Sequence, residues 1–159
     1  MTLHPGLLGL VALTLLPSQD AAEPKTFQVY FLAGQSTMDG YGRVDELPED
    51  WRGELRSEQA AVPIFHGNPA ADGDGQQGGL GLWATLRPGH GRSFTSDGLA
   101  NAYSDAFGLE LTFARRLLEL EPDASIALVK YSRGGTSIHA DAAGGFGCWE
   151  PDWEGGEGA

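Results

Sequence analysis

Ser36 stands where a hydroxyl can do chemistry. The stretch from Phe27 to Gly42 reads FQVYFLAGQSTMDGYG, and its apolar part, Phe27–Ala33, passes straight into Gly34-Gln35-Ser36. A strand ending in such a turn presents one hydroxyl at the carboxyl end of a sheet, the end at which open α/β folds bind their ligands. A serine hydroxyl is a weak nucleophile until a neighbouring base takes its proton. The anion formed on an attacked carbonyl also needs donors already in place. The Ser36 N–H is one candidate. Gly108 is a second, because it precedes a helical segment, where N–H groups are unpaired and the dipole favours negative charge. Gly134-Gly135-Thr136-Ser137 follows a second apolar run, and its glycines allow a tight turn beside the same site.

Three segments carry a resemblance. Leu32-Ala33-Gly34-Gln35-Ser36-Thr37-Met38 is similar to a G-Q-S-N-M segment, Phe107-Gly108-Leu109-Glu110 to F-G-P-E, and Lys130-Tyr131-Ser132-Arg133-Gly134-Gly135-Thr136-Ser137 to K-x-x-x-G-G-T-S. In order and spacing they resemble the sialate O-acetylesterase-like branch of the SGNH hydrolases, which includes the acetylxylan esterases of carbohydrate esterase family six. The resemblance runs from Phe27 to Ser137. It implies Ser36 as nucleophile, Ser36 and Gly108 as the oxyanion hole, and a substrate pocket that includes Gln35, Thr37, Arg133, Gly134, Gly135 and Thr136. It implies an α/β fold with a three-layer, flavodoxin-like parallel sheet and helices on both faces. It also implies an acetylated carbohydrate as substrate, acetylxylan or another acetylated sugar, with no cofactor and no metal. Two positions depart from the pattern. Thr37 replaces the usual Asn, which weakens the hydrogen bonding around the turn, and Leu109 replaces the usual Pro.

The base is the gap. The family's late Asp-x-x-His pair, and the Q-G-E segment before it, do not occur. His66, His90 and His139 are the candidates, and none has an Asp three residues before it. Residues 23–159 are therefore expected to be the N-terminal portion of one such domain, with its C-terminal part missing, the base beyond Ala159 and the chain as given inactive. The alternative is a carbohydrate-binding or structural module without catalysis.

Composition narrows the classes further. A chain of 159 residues accommodates one domain, and a net charge of −12 argues against nucleic acid or an anionic membrane as partner. Cys148 is the only cysteine, so no internal disulfide forms. Asp72 and Asp74 are spaced like part of a calcium loop, but the rest of that pattern is missing. No P-loop motif is present. Leu7–Leu16 has the length of a signal-peptide apolar region and is too short to span a bilayer. Residues 1–22 are thus expected to be a signal peptide, and the mature protein to be secreted or periplasmic and free of the membrane.

The positioning elements follow from periodicity. Phe27–Ala33 is apolar on both faces apart from Gln28, as in a central parallel strand. Leu47, Trp51 and Leu55 suggest an amphipathic helix within Asp45–Glu58, limited by Pro48. Ala61–His66 fits a short strand and Gly67–Gly81 a long surface loop. Leu109, Phe113, Leu117 and Leu120 form one face of a helix that Pro122 ends, with Glu110 as a structural carboxylate in its first turn. Ser125–Tyr131 reads as a second strand. Strand, helix and strand in this order predict parallel strands joined by a crossover.

Overall fold

The computed structural model describes residues 25–56, 61–67, 79–142 and 146–153. The expected signal peptide and most of the expected loop Gly67–Gly81 lie outside these residues. Among the described residues eight strands are formed: β1 (Gln28–Gly34), β2 (Gly42–Arg43), β3 (Pro63–His66), β4 (Trp83–Thr85), β5 (Thr95–Ser96), β6 (Asn101–Ala102), β7 (Ala106–Phe107) and β8 (Ile126–Ser132). Two α-helices accompany them, the single turn α1 (Ser36–Asp39) and α2 (Glu110–Leu120). The main sheet has the order β1-β8-β3-β4. β8 runs parallel to both β1 and β3, whereas β4 is antiparallel to β3. The sheet is therefore mixed, with α/β character, where a wholly parallel one was expected.

The interior strands are β8 and β3, and β1 lies at the edge of the described sheet, which corrects the expectation for Phe27–Ala33. Both faces of β1 are apolar, but only one is covered among the described residues. Leu32 is buried, and the Tyr30 ring meets Phe113 of α2 edge-on at 5.3 Å. On the opposite face Val29 and Phe31 remain 61% and 65% exposed. An alternation of apolar residues fixes which side chains share a face, but it does not say what covers each face.

α2 takes up the predicted segment with its inner face rotated. Glu110, Leu111 and Ala114 are its buried residues, while Leu120 is 60% exposed. Phe113, Leu117 and Leu118 pack at the margin of the core. The reason is Glu110, whose fully buried carboxylate turns the Leu111–Ala114 side inward. The helix expected within Asp45–Glu58 is replaced by two 3-10 turns, Val44–Glu46 and Glu49–Trp51. Pro48 separates them, since it lacks the N–H a continuous helix would need. Leu47 and Leu55 still reach the core, together with Ile64, Leu86, Leu111 and Leu128. Each such fully buried aliphatic side chain contributes about 1.5–3 kcal/mol.

The register carries the core into the site. Ile64 lies beside Leu128, then His66 beside Lys130; on the other side Leu32 pairs with Lys130 and Gly34 with Ser132. Along the inner face of β8 the residues are Ile126, Leu128, Lys130 and Ser132, all buried. Apolar packing thus gives way to charge and then to a hydroxyl as the parallel strands approach their carboxyl ends.

Candidate active site

Ser36 opens α1 directly after β1. Asp39 N–H donates to Gln35 C=O at 2.8 Å and Gly40 N–H to Ser36 C=O at 3.1 Å, which closes the turn. The Ser36 N–H donates to its neighbour's side chain, Gln35 Oε1, at 2.7 Å. Ser36 is half-buried and Gln35 exposed. Among the described residues Ser36 Oγ has no hydrogen-bond partner. At the end of β8, Arg133 N–H donates to Gly34 C=O at 3.0 Å, which ties the G-G-T-S turn to the nucleophile turn. Gly134 then borders the serine: a Cβ placed on it would lie 3.6 Å from Ser36 Oγ, Asp39 Oδ2 and the Tyr41 hydroxyl alike. A bare backbone keeps that space open.

Beneath the turn lies a buried ion pair. Lys130 Nζ and Glu110 Oε2 are 2.7 Å apart, and both side chains are wholly inaccessible. The ammonium also donates to His90 C=O at 2.6 Å and to Asp39 C=O at 3.1 Å. Glu110 Oε1 accepts the Gly108 N–H at 2.8 Å. The pair thereby fastens the end of α1, the His90 loop and the Phe107–Glu110 segment to β8. With its donors and acceptors satisfied, it is the kind of buried pair that tolerates low dielectric. Gly108 belongs to this knot: a Cβ there would meet Glu110 Oε2 at 2.6 Å and Lys130 Nζ at 3.1 Å. The Gly108 N–H, expected to serve the oxyanion, is given to the Glu110 carboxylate in this structure.

Two histidines considered as bases are buried away from solvent. His66 and His90 are 1% and 0% exposed, with their Nδ1 atoms 3.4 Å apart. Phe94 stacks on His66 at 4.1 Å, and Tyr103 meets His90 edge-on at 5.2 Å. Burial, with Lys130 and His90 nearby, pushes the His66 pKa down to about 2. Burial, with Lys130 and Arg87 nearby, pushes that of His90 down to about 3. Both imidazoles are neutral at pH 7. His139 is exposed, and its Nδ1 accepts the Asp141 N–H at 3.2 Å. None of these histidines hydrogen-bonds Ser36.

The remaining expected pocket residues divide. Thr37 is exposed on α1. Thr136 Oγ1 donates to Arg133 C=O and accepts the Trp149 Nε1–H, each at 2.8 Å. Arg133 and Thr136 line a cleft with Tyr131, Cys148 and Trp149. Gly135 has φ +82°, and a Cβ on it would strike the Phe146 ring at 2.7 Å. Among the described residues no three His, Cys, Asp or Glu side chains converge to hold a metal ion.

A family model for carbohydrate esterases, described as sialic acid-specific acetylesterase, matches residues 26–147. The chain belongs to this family. The match takes in β1, α1, α2, β8 and the G-G-T-S turn, the segments that meet around Ser36. Among solved structures, the "Crystal structure of NanS" is similar at 23% identity over 74% of this chain and 38% of that one, with a TM-score of 0.36. The chain thus spans well under half the length of that protein. A search of curated proteins finds no significant match.

Within this carbohydrate esterase domain, two residues near Ser36, Asp39 and Tyr41, escaped the sequence reading. Lys130 was read as the first residue of the K-x-x-x-G-G-T-S segment without a role; its partner Glu110 is brought in from α2. Asp39 follows Ser36 by three positions, one helical turn, a spacing that places both on one side of α1. Tyr41 carried no motif and enters through the turn after Gly40.

Proposed function

We propose that this domain is the core of a serine esterase that removes O-acetyl groups from carbohydrate. The observation that carries the reading is Ser36 itself: an unpaired hydroxyl at the carboxyl end of β1, its own N–H presented to an exposed amide oxygen. Gln35 Oε1 occupies the place a substrate carbonyl oxygen would take, and being exposed it can be displaced. Gly134 supplies the second approach to that oxygen, since a Cβ built on it would lie 3.6 Å from Ser36 Oγ and its bare backbone leaves that space to a substrate.

In this mechanism Ser36 Oγ bonds to the carbonyl carbon, and its proton passes to a general base. The carbonyl π pair moves onto oxygen and is held by backbone donors. Collapse expels the sugar oxygen, which takes the proton back, and water then releases acetate by the same route. No described residue reaches Ser36 Oγ as that base. This favours, as the second reading, a domain of the same family that binds acetylated carbohydrate without cleaving it.

An alkyl fluorophosphonate separates the two. With full-length protein at neutral pH, mass spectrometry should find the phosphonyl adduct on the peptide containing Ser36. Labelling on some other serine, or none under conditions that label a control esterase, supports the binding module.

The esterase reading also places the protein outside the cytoplasm, supported by the apolar run Leu7–Leu16 and the small residues after it. Intact-mass analysis of exported protein should give an N-terminus near Glu23. Retention in the cytoplasm with Met1 in place contradicts export.

A further inference from the structure

We infer that Asp39 reads the substrate: its carboxylate accepts a hydrogen bond from a free sugar hydroxyl next to the ester that Ser36 attacks. The inference rests on the esterase reading and extends it to the chemistry of the alcohol portion.

Asp39 is held from beneath and open above. Ser132 Oγ, itself 0% exposed, donates to Asp39 Oδ1 at 3.0 Å and fixes the carboxylate plane. Oδ2 then faces the space over Gly134, 3.6 Å from the position a Cβ there would take, a position equally close to Ser36 Oγ and the Tyr41 hydroxyl. Among the described residues no cation pairs with this carboxylate. The nearest buried ammonium, Lys130, binds the Asp39 backbone carbonyl instead, and its other donors go to His90 C=O and Glu110.

A half-buried carboxylate oxygen without a protein donor is poised to take one from a ligand. The ligand's donor must reach it while its ester carbonyl lies at Ser36. A hydroxyl on the ring carbon next to the acylated one has that reach. Tyr41 lies on the other side of the same space, 54% exposed, with the Arg92 guanidinium 5.2 Å above its ring. Its phenol both donates and accepts, as suits a second hydroxyl. The substrate class that fits is a partly acetylated sugar with free hydroxyls, as opposed to a simple alkyl or aryl acetate.

Asp39→Asn tests this without changing shape, since Asn Oδ1 still accepts from Ser132 while an NH2 replaces Oδ2. Full-length protein is assayed on three esters: a mono-O-acetylated methyl pentoside with a free neighbouring hydroxyl, its deoxy analogue lacking that hydroxyl, and p-nitrophenyl acetate. A hydrogen bond to a charged group of this kind corresponds to about a 10- to 100-fold change. The variant should lose that factor in kcat/KM on the pentoside and at least tenfold less on the other two esters. Wild type should likewise favour the pentoside over its deoxy analogue. Gly134→Ala, whose methyl fits at contact distance but fills the space, should depress turnover of the pentoside more than of p-nitrophenyl acetate. Equal losses on all three esters would overturn the inference, because Asp39 would then act on Ser36 or its base; so would no loss on any. Ser36→Ala run alongside isolates the underlying reading, which fails only if that variant keeps its turnover.

Discussion

Ser36→Ala in the full-length protein should lower kcat for acetyl-ester hydrolysis by on the order of 10⁴–10⁶-fold, as removal of the nucleophile does in other serine hydrolases. The magnitude follows from position. Ser36 Oγ lies at the end of β1, with Asp39 Oδ2 and the Tyr41 hydroxyl bordering the same space over Gly134, and neither a carboxylate nor a phenol set there replaces an activated serine as the attacking group. Any residual rate would come from binding and backbone donors alone. The substitution should not disturb folding, because the Ser36 hydroxyl makes no hydrogen bond among the described residues and the turn is closed by backbone groups. The check is a comparison of kcat at saturating substrate with thermal unfolding of the same sample. A variant that unfolds like wild type and turns over within tenfold of it would remove Ser36 from the mechanism.

What could be read from the chain and what could not differ in range. β1, α2 and β8 were legible because each is a local pattern: an apolar run broken by a turn, a 3.6-residue period ended by Pro122, a second run. Their parallel pairing followed from order. Lys130 and Glu110 were not legible as partners, since they stand on a strand and a helix and only the seating of the start of α2 beside β8 brings them together. The same holds for His66 and His90, each unremarkable by itself and meaningful only once β3 and the loop after β4 place them together. A glycine before a helix advertises free N–H groups, but at Gly108 the carboxylate of Glu110, two residues on, folds back and takes this one, a contact the sequence pattern does not show. Gly134 was seen as pocket wall, and the approach of its backbone to Ser36 depends on the Arg133–Gly34 bond between two strands.

The histidine pair predicts a steep acid limit to the fold. Both imidazoles are buried and held neutral, with pKa values pushed from the ordinary 6.5 down to about 2 and about 3. Unfolded chain takes up a proton on each below pH 6.5, and folded chain does not. The stability that neutral burial confers is therefore fully present above pH 6.5 and drains away as the pH falls from there towards 2–3. The two groups together cost roughly 3 kcal/mol per pH unit in that window. By pH 4.5 the loss reaches about 5 kcal/mol, comparable with the whole stability of a marginal domain, ~5–15 kcal/mol. Placing one proton in the folded state offers no easy relief. The Nδ1 atoms face each other at 3.4 Å, Lys130 and Arg87 add positive charge, and Phe94 and Tyr103 seal the rings from water. The Glu110 carboxylate is already bound to Lys130. Urea unfolding between pH 7.5 and 4.5 should show the slope, read most cleanly between 6.5 and 5, where ordinary carboxylates do not yet titrate. His66→Leu should remove about half of it. A free energy that stays flat across that interval, or a slope unchanged in the variant, would mean that the pair opens to water and protonates without unfolding.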